Sequence, residues 1–256
     1  MTRWLNSTLL LTLGLISANA HAQSEPLQVA VAANMTAPMQ ALAPLFEAKT
    51  GHKLALSFGS TGKFYAQIQH GAPFEVLLAA DQATPKRLAQ ENLAKADTAF
   101  TYALGTLVLW SADAKRITQG EEILNEPGQL RLAIADPKLA PYGKAAQETL
   151  EALNRWDLWQ GHIAMGENIG QTYQFAASGN AQLGFVALSQ VWENGQLREG
   201  SLWRVPTDLY TPIAQDAIVL NKGADNLSAQ AFVTFLQSDE ATKVLKSFGY
   251  QIPNKP

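Results

Sequence analysis

The chain has 256 residues, no cysteine and a formal net charge of −3 at neutral pH. So weak a charge gives no support to nucleic-acid binding, which is typical of a basic surface. Without disulfides the fold depends on its core, and a chain of a few hundred residues buries roughly 70% of its unfolded surface. One large domain or two small ones are therefore possible.

The first 22 residues are typical of a secretory signal peptide. Arg3 and the free amino terminus carry positive charge, residues 9–16 are apolar, and Ala20-His21-Ala22 fits the small-residue pattern that precedes cleavage. The apolar stretch is too short to cross a bilayer as an anchor. We therefore expect a mature chain that begins at Gln23 and is exported to the periplasm.

The first half of the mature chain alternates strand and helix patterns. Residues 27–33 form a short apolar run with little alternation, which is typical of a strand buried on both faces. Apolar residues then recur at helical spacing from Met35 to Phe46, and Gly51 predicts the end of this helix. Further strands are predicted at residues 53–58 and 74–80. Further helices are predicted at residues 62–70 and 85–92, the last with Thr84 as its N-cap.

The second half continues the alternation. Predicted strands cover residues 104–110, 130–135, 163–166, 183–187 and 217–220. Predicted helices cover residues 144–153, 170–178, 228–236 and 239–248. Strands that alternate with helices predict an α/β fold with mainly parallel sheets. No linker rich in Pro and Gly separates two domains, so two lobes would have to be joined by strands. Residues 104–110 and 217–220 are the candidates for these crossings.

Four strand-to-helix junctions share small, hydroxyl, amide or glycine residues directly before a helix. They are residues 33–36, 59–62, 140–143 and 167–170. A helix N-terminus carries unpaired N–H groups and about +0.5 charge, and glycine lets the backbone come close to a ligand. In open α/β sheets, ligands bind outside the carboxyl ends of the strands. One junction alone is an ordinary N-cap more often than a site, but four together favour an anion-binding protein.

The patterns for catalysis are weak. Residues 59–62 lack the spacing of a nucleophile elbow, and Lys63 is not followed by the Ser or Thr of a P-loop. The histidines are far apart and form no pair with zinc-ligand spacing. We therefore expect neither an enzyme nor a cofactor. A secreted hydrolase that uses Ser60 or Thr61 stays an alternative, although it lacks a recognisable base.

Charged residues at the junctions have ordinary explanations. Asp81 and Asp136 end predicted strands, where we expect them to cap helices or accept hydrogen bonds rather than act as an acid/base pair. Lys63 and Lys144 lie in first helical turns, where a cation opposes the dipole. The sequence leaves open whether either lysine faces an anion or solvent.

Six segments resemble the periplasmic molybdate-binding proteins of ABC transporters. The two specific segments are LSFGSTGKFYAQIQHGAPFEVLLAAD and LAIADPKLAPYGKAAQETL; the weaker four are AANMTAPMQALAPLFEAKTG, ENIGQTYQF, QLGFVALSQ and FVTFLQSDEATKVLKSFGYQI. They occur in family order over nearly the whole mature chain.

The resemblance implies a two-lobed periplasmic-binding-protein fold of type II. Each lobe is then a mainly parallel sheet flanked by helices, and two crossing strands join the lobes. Lobe 1 would comprise residues 23–103 and 217–256, and lobe 2 residues 104–216.

The resemblance also implies oxyanion contacts from lobe 1. The Ser or Asn that follows the first strand in the family falls on Asn34, with Ala33 beside it. The hydroxyl residue that opens the second helix falls on Thr61, with Ser60 as its neighbour. These residues would contact the oxygens of molybdate and would not bind the metal directly.

Lobe 2 is expected to supply the remaining contacts. The position after the Pro of the D-P…P-x-G segment is Tyr142, and the backbone N–H of the E-x-V/I segment belongs to Ile169. One branch of the family also uses a Tyr after G-x-V, a position that is Ala187 here. We expect the phenol of Tyr142 to compensate for this missing contact.

The function implied by the resemblance is capture of molybdate or tungstate and delivery to an ABC permease, by a protein expected to be a monomer. Each hydrogen bond to a charged group contributes roughly 1.5–3 kcal/mol, and about five of them would give a submicromolar site. The alternatives within the same class are sulfate, thiosulfate or a small carboxylate. A cytoplasmic effector-sensing domain is disfavoured by the signal peptide and by the lack of DNA-binding helices.

Overall fold

The computed structural model describes residues 25–253, so the predicted signal peptide lies outside the described residues. Within this range no helix combines the length and apolar character that crossing a membrane requires. Two five-stranded mixed sheets organise the chain.

The first sheet has the strand order β2-β1-β3-β12-β4. Its strands are β1 (Leu27–Ala32), β2 (Leu54–Gly59), β3 (Val76–Leu78), β4 (Phe100–Gly105) and β12 (Ile213–Val219). β12 runs antiparallel to both of its neighbours, whereas β1 is parallel to β2 and β3. Five of the six residues of β1 are buried, Gln28 being the exception, as the apolar run predicts for a strand covered on both faces.

The second sheet repeats this connectivity, with the order β7-β6-β8-β5-β11. Its strands are β5 (Leu107–Ser111), β6 (Leu132–Ala135), β7 (Ile163–Gly166), β8 (Leu183–Ala187) and β11 (Ser201–Arg204). Here β5 is antiparallel to both neighbours, and β6 is parallel to β7 and β8. In each sheet, the strand that runs antiparallel to both of its neighbours is the first strand after the chain crosses from the other sheet. The predicted two-lobed α/β fold with mainly parallel sheets is confirmed.

One of the two predicted crossings between the sheets is misplaced. Thr106 separates β4 from β5, so the predicted strand at 104–110 is two strands in different sheets. The other predicted crossing, 217–220, covers the end of β12, which lies wholly in the first sheet; the chain returns through residues 205–212. The chain thus does cross within the first predicted segment, at Thr106, and does not cross at 217–220, because an apolar run does not reveal which of two sheets it joins. The predicted lobe limits at 104 and 217 fall inside β4 and β12.

Helices cover both sheets. They are α1 (Thr36–Thr50), α2 (Thr61–Gln69), α3 (Ala83–Gln90), α4 (Pro141–Ala152), α5 (Trp156–Trp159), α6 (Ile169–Ala177), α7 (Leu188–Val191), α8 (Leu227–Leu236) and α9 (Asp239–Ser247). A short hairpin of β9 (Trp192–Glu193) and β10 (Gln196–Leu197) follows α7. Among the helices, α1, α2, α3 and α8 contact the first sheet, α6 and α7 contact the second, and α4 contacts both.

Two predicted helix ends show how the chain specifies them. Gly51 ends α1 in the left-handed region at φ 75°, as predicted, because glycine adopts this conformation without steric cost. The prediction that Thr84 caps the third helix is wrong. Asp81 Oδ1 accepts the backbone N–H of Thr84 at 2.7 Å, so α3 begins earlier and the expected capping role of Asp81 is confirmed.

The lobes meet at the carboxyl ends of their strands. Ala32, Ala33 and Ala80, which follow or end strands of the first sheet, belong to the same buried cluster as Tyr142 and Ile169 of the second lobe. This contact places the strand-to-helix junctions of the two lobes against each other.

Candidate functional site

A small cavity lies between the lobes, where strands of both sheets end. Its volume is about 10 Å³, room for about one water molecule. All six residues that the resemblance implies line it: Ala33, Asn34, Ser60, Thr61, Tyr142 and Ile169. The other lining residues are Ala32, Gly59, Ala80, Ala140 and Pro141. None of the described residues that line this cavity has a charged side chain.

Three helices begin at the cavity. α2, α4 and α6 are 9, 12 and 9 residues long, and none has an acidic residue in its first turn. Their first peptide N–H groups have no acceptor within the helix, and each macrodipole places about +0.5 charge at this end. Pro141 opens α4 without an N–H, so the first peptide donor of this helix belongs to Tyr142. The cavity is therefore electropositive without any cationic side chain.

Ser60 supplies a buried hydroxyl. It occupies the N-cap position of α2, yet its side chain makes no capping hydrogen bond. The residue is 3% exposed, and its Oγ has no hydrogen-bond partner in the part of the chain that the structure describes. Leaving such a group buried and unpaired costs roughly 1–3 kcal/mol. The ordinary capping explanation fails for this residue, and a ligand in the cavity would supply the missing partner.

Thr61 presents a hydroxyl proton. Its Oγ1 accepts the backbone N–H of Ala80 at 3.0 Å, a bond that ties the start of α2 to the segment just after β3. A hydroxyl that accepts from a peptide still has its own proton to donate. The fold thus fixes the Thr61 oxygen and leaves its proton for a ligand in the cavity.

Asn34 is held by residues of both lobes. Its Nδ2 donates to Gln215 Oε1 at 2.7 Å and to the phenol of Tyr250 at 2.8 Å. Its backbone carbonyl accepts the hydroxyl of Ser189, in α7, at 2.8 Å. The amide oxygen Oδ1 is buried and has no partner among the described residues.

Tyr142 brings a neutral phenol to the cavity from α4. Burial raises the pKa of Tyr142 well above its ordinary value, so the phenol stays protonated at neutral pH. Gln215 Nε2 lies 3.5 Å from the phenol oxygen. A Cβ on Gly105 would collide with that oxygen, which explains why β4 ends in glycine at this point.

Ile169 contributes its backbone rather than its side chain. Asn168 caps α6 by accepting the N–H of Gln171 at 3.0 Å, and the N–H of Ile169 occupies the first position of the helix. Ala187 is buried but is not part of the cavity lining.

Contacts between the lobes close over the cavity. The second peptide of α2, at Gly62, donates to the carbonyl of Leu139 at 2.9 Å. Beside it, Lys63 forms an ion pair with Glu167 across the lobes. Lys63 thus pairs with a carboxylate, and Lys144 has a side chain that is 66% exposed and lies 3.7 Å from Glu148. Neither lysine lines the small cavity.

Comparison with known proteins places the chain in a family. Residues 27–251 match the family model described as bacterial extracellular solute-binding protein. The chain belongs to this family.

Within the solute-binding family, the chain is similar to proteins named for molybdate. It is 50% identical to the molybdate-binding protein ModA of Azotobacter vinelandii over 244 residues, which cover 95% of this chain and 97% of that protein. It is 46% identical to the ModA of Rhodobacter capsulatus over 221 residues, 86% of each chain. The solved periplasmic molybdate-binding protein of Azotobacter vinelandii superposes with a TM-score of 0.86 and 36% identity over 89% of this chain and all of that one. The resemblance stated from the sequence is confirmed, and these binding-protein names agree with the prediction that the chain is not an enzyme.

A wider cleft of this solute-binding protein opens beside the small cavity. Its volume is about 400 Å³, and it shares Ala80, Ala140 and Pro141 with the cavity. Asp81 and Lys144 line it. Burial raises the pKa of Asp81, and the hydrogen bonds from Thr84 oppose this shift. The cleft offers charged, partly solvated groups, whereas the cavity offers buried neutral donors.

The sequence interpretation missed the residues that support the cavity from behind. They are Tyr102, Ser189, Gln215 and Tyr250, all buried. Gln215 could have been noticed as an amide at a buried position of β12, beside Asp216 in a strand whose other residues are apolar. Tyr250 lies in the closing segment that resembles the family, but nothing in that segment indicates a contact with Asn34.

Proposed function

We propose that this protein binds molybdate or tungstate in the small cavity and delivers it to an ABC permease. The observation that carries the proposal is the buried Ser60 hydroxyl, which has no partner among residues 25–253 and lies where three helix N-termini meet. A tetrahedral dianion would accept this hydroxyl, that of Thr61 and the first peptide N–H groups of the helices. The names of the relatives support molybdate as the ion.

The chemistry of the lining favours a fully ionised anion. Hydroxyl and peptide N–H donors can satisfy the oxygens of a dianion without a counter-cation. An anion that keeps a proton at neutral pH, such as phosphate, would need an acceptor as well, and one unpaired acceptor among the described lining residues is the Asn34 amide oxygen. Sulfate accepts the same bonds as molybdate, so discrimination between these two dianions has to come from the fit of the cavity to the larger ion.

The hydrolase alternative finds no support at Ser60 or Thr61. Among the described residues that line the cavity there is no His, Asp, Glu or Lys to serve as a general base. Nor does any group of three or more His, Cys, Asp or Glu in this range have the arrangement of a metal site.

The remaining parts of the proposal concern the protein in the cell. Residues 1–22 would direct export to the periplasm, and the mature protein would act as a monomer. Its two lobes, which are joined at Thr106 and through residues 205–212, would close on the anion and present it to the permease. Contacts from Asn34 and Thr61 on one side and from Tyr142 and Ile169 on the other are the basis for this closure.

Thermal unfolding of the mature chain with different anions tests the proposed ligand. Molybdate and tungstate should raise the melting temperature at micromolar concentration, because binding to the folded state alone stabilises by about 2.7 kcal/mol at a hundredfold excess over Kd. Sulfate and phosphate should raise it only weakly. Equal shifts with sulfate and molybdate would contradict the assignment.

A further inference from the structure

Gln215 lies at the centre of a buried polar network behind the cavity. It is fully buried, at a β-bulge where Tyr102 of β4 is the extra residue opposite β12. Bulges beside functional sites redirect side chains out of the regular ladder. The Gln215 amide contacts Asn34, Tyr142 and Tyr102, whose phenol lies 3.2 Å from Oε1. Gln215 therefore connects two residues of the cavity without lining it.

The Asn34 amide is turned the wrong way for an anion. Both of its Nδ2 hydrogens go to Gln215 and Tyr250, and the unpaired buried atom is the oxygen Oδ1. An amide oxygen carries lone pairs and repels a dianion. In this orientation the Asn34 side chain cannot donate to the proposed ligand.

Rotation of two amides corrects this if the Tyr250 hydroxyl also turns its proton, which now serves the Asn34 carbonyl at 3.1 Å or Ser189 Oγ at 3.0 Å. A 180° turn about the last torsion exchanges the oxygen and nitrogen of an Asn or Gln. Turning Asn34 alone would bring its oxygen to 2.7 Å from Gln215 Oε1 with no proton between them. Turning both lets Asn34 Oδ1 accept from Gln215 Nε2 and from Tyr250, while Asn34 Nδ2 takes the unpaired position. The two rotations are therefore coupled.

The rotated arrangement keeps the partners of Tyr102 and leaves the Gln215 oxygen with only the distant Tyr142 phenol as a neighbour among the described residues. Tyr102 keeps the carbonyl of Ala79 as its acceptor at 2.9 Å and can accept from Gln215 Nε2. Gln215 Oε1 then faces the Tyr142 phenol at the long distance of 3.5 Å, so the phenol proton stays free for the anion.

We propose that Gln215 is a positioning residue that holds the Asn34 amide with Nδ2 directed at the bound anion. The anion selects the rotated pair, and Gln215 acts only through Asn34. This inference rests on the proposed function, because it requires an oxyanion in the cavity.

A double-mutant cycle on molybdate affinity, measured by calorimetry, tests this role. Gln215→Met keeps the length of the side chain and removes its hydrogen bonds, and it should weaken binding about tenfold. In an Asn34→Ala background the same change should alter Kd by less than about twofold, because its target is absent. Thr149→Val is the control for a lost buried hydrogen bond, since Thr149 bonds Ala145 within α4; it should lower stability and leave affinity unchanged.

A tenfold loss from Gln215→Met in both backgrounds, or no loss in either, would overturn the role of Gln215. The wild-type titration separates this outcome from failure of the proposed function. If the wild type binds no molybdate or tungstate, the function itself is wrong. If it binds and the cycle is additive, only the positioning role is wrong.

Neutron diffraction from a deuterated crystal with tungstate provides a test that does not depend on the folding of variants. The Asn34 deuterons should point at tungstate, and a Gln215 deuteron should lie between Gln215 Nε2 and Asn34 Oδ1. Asn34 deuterons directed at Gln215 and Tyr250 in the bound state would overturn the inference.

Discussion

Replacing Ser60 by alanine separates binding from folding more cleanly than any other change at the cavity. In the structure the Ser60 hydroxyl is buried and has no partner among the described residues, so its removal breaks no hydrogen bond of the folded protein. An unpaired buried hydroxyl costs about 1–3 kcal/mol, and the free energy of unfolding without ligand should stay the same or rise by up to this amount. Binding should lose one bond to a dianion, about 1.5–3 kcal/mol, or roughly tenfold to over a hundredfold in Kd.

The assay combines urea unfolding of the ligand-free protein with calorimetric titration of molybdate. Ser201→Ala is the matched control, because Ser201 is also buried but its hydroxyl has partners. It accepts the backbone N–H of Ile117 at 3.0 Å and donates to the backbone carbonyl of Asp113 at 2.6 Å. This control should lose about 1–3 kcal/mol of stability and keep its affinity.

The opposite pattern would refute the reasoning about Ser60. If Ser60→Ala destabilised the ligand-free protein as much as Ser201→Ala does, its hydroxyl would have a partner in the fold. If its molybdate affinity stayed within twofold of the wild type, the hydroxyl would not be a ligand.

Three further changes test other parts of the site. Tyr142→Phe should weaken molybdate binding roughly tenfold to over a hundredfold in calorimetry, with Tyr210→Phe as a control outside the cavity. Gly62→Ala should speed molybdate release roughly tenfold in stopped-flow measurements, because its Cβ would lie 3.0 Å from the carbonyl oxygen of Leu139 and oppose closure. Asp81→Asn should raise the melting temperature at pH 7, since burial raises the pKa of this carboxyl; the gain should vanish as the pH falls towards the ordinary pKa of 3.8.

Each of these three predictions has an outcome that would contradict it. Tyr142→Phe with an affinity within twofold of wild type would mean that the phenol is not a ligand. Unaltered release from Gly62→Ala would show that its contact with Leu139 does not limit opening. A stability gain from Asp81→Asn that persists at pH 3 would mean that ionisation of the carboxyl is not its cause.

The sequence predicted the parts of the fold that depend on neighbouring residues. The strand at residues 163–166 matches β7, and the helix at 239–248 extends one residue beyond α9. The junctions at the cavity were also foreseeable, because glycine and hydroxyl residues before a helix are local signals. That these junctions converge from two lobes followed from the family resemblance rather than from any local pattern.

The errors and omissions concern residues that are distant along the chain. Gln215 contacts Asn34 across 181 positions, and Tyr250 contacts it across 216. No periodicity encodes such pairs, since they depend on how the returning strand β12 enters the first sheet. The short strand β11 was missed for a similar reason: its four residues contain both Trp203 and Arg204 and owe their conformation to pairing with β5.

A crystal structure of the mature protein with tungstate, phased at the tungsten absorption edge, tests the central claim most directly. Tungsten scatters anomalously, so the ion is located without reference to any assumed site. We expect a single strong peak in the small cavity, with the tungstate oxygens within hydrogen-bond distance of the Ser60 and Thr61 hydroxyls and the Ile169 N–H. A peak in the wider cleft beside Lys144, with the small cavity empty, would contradict it.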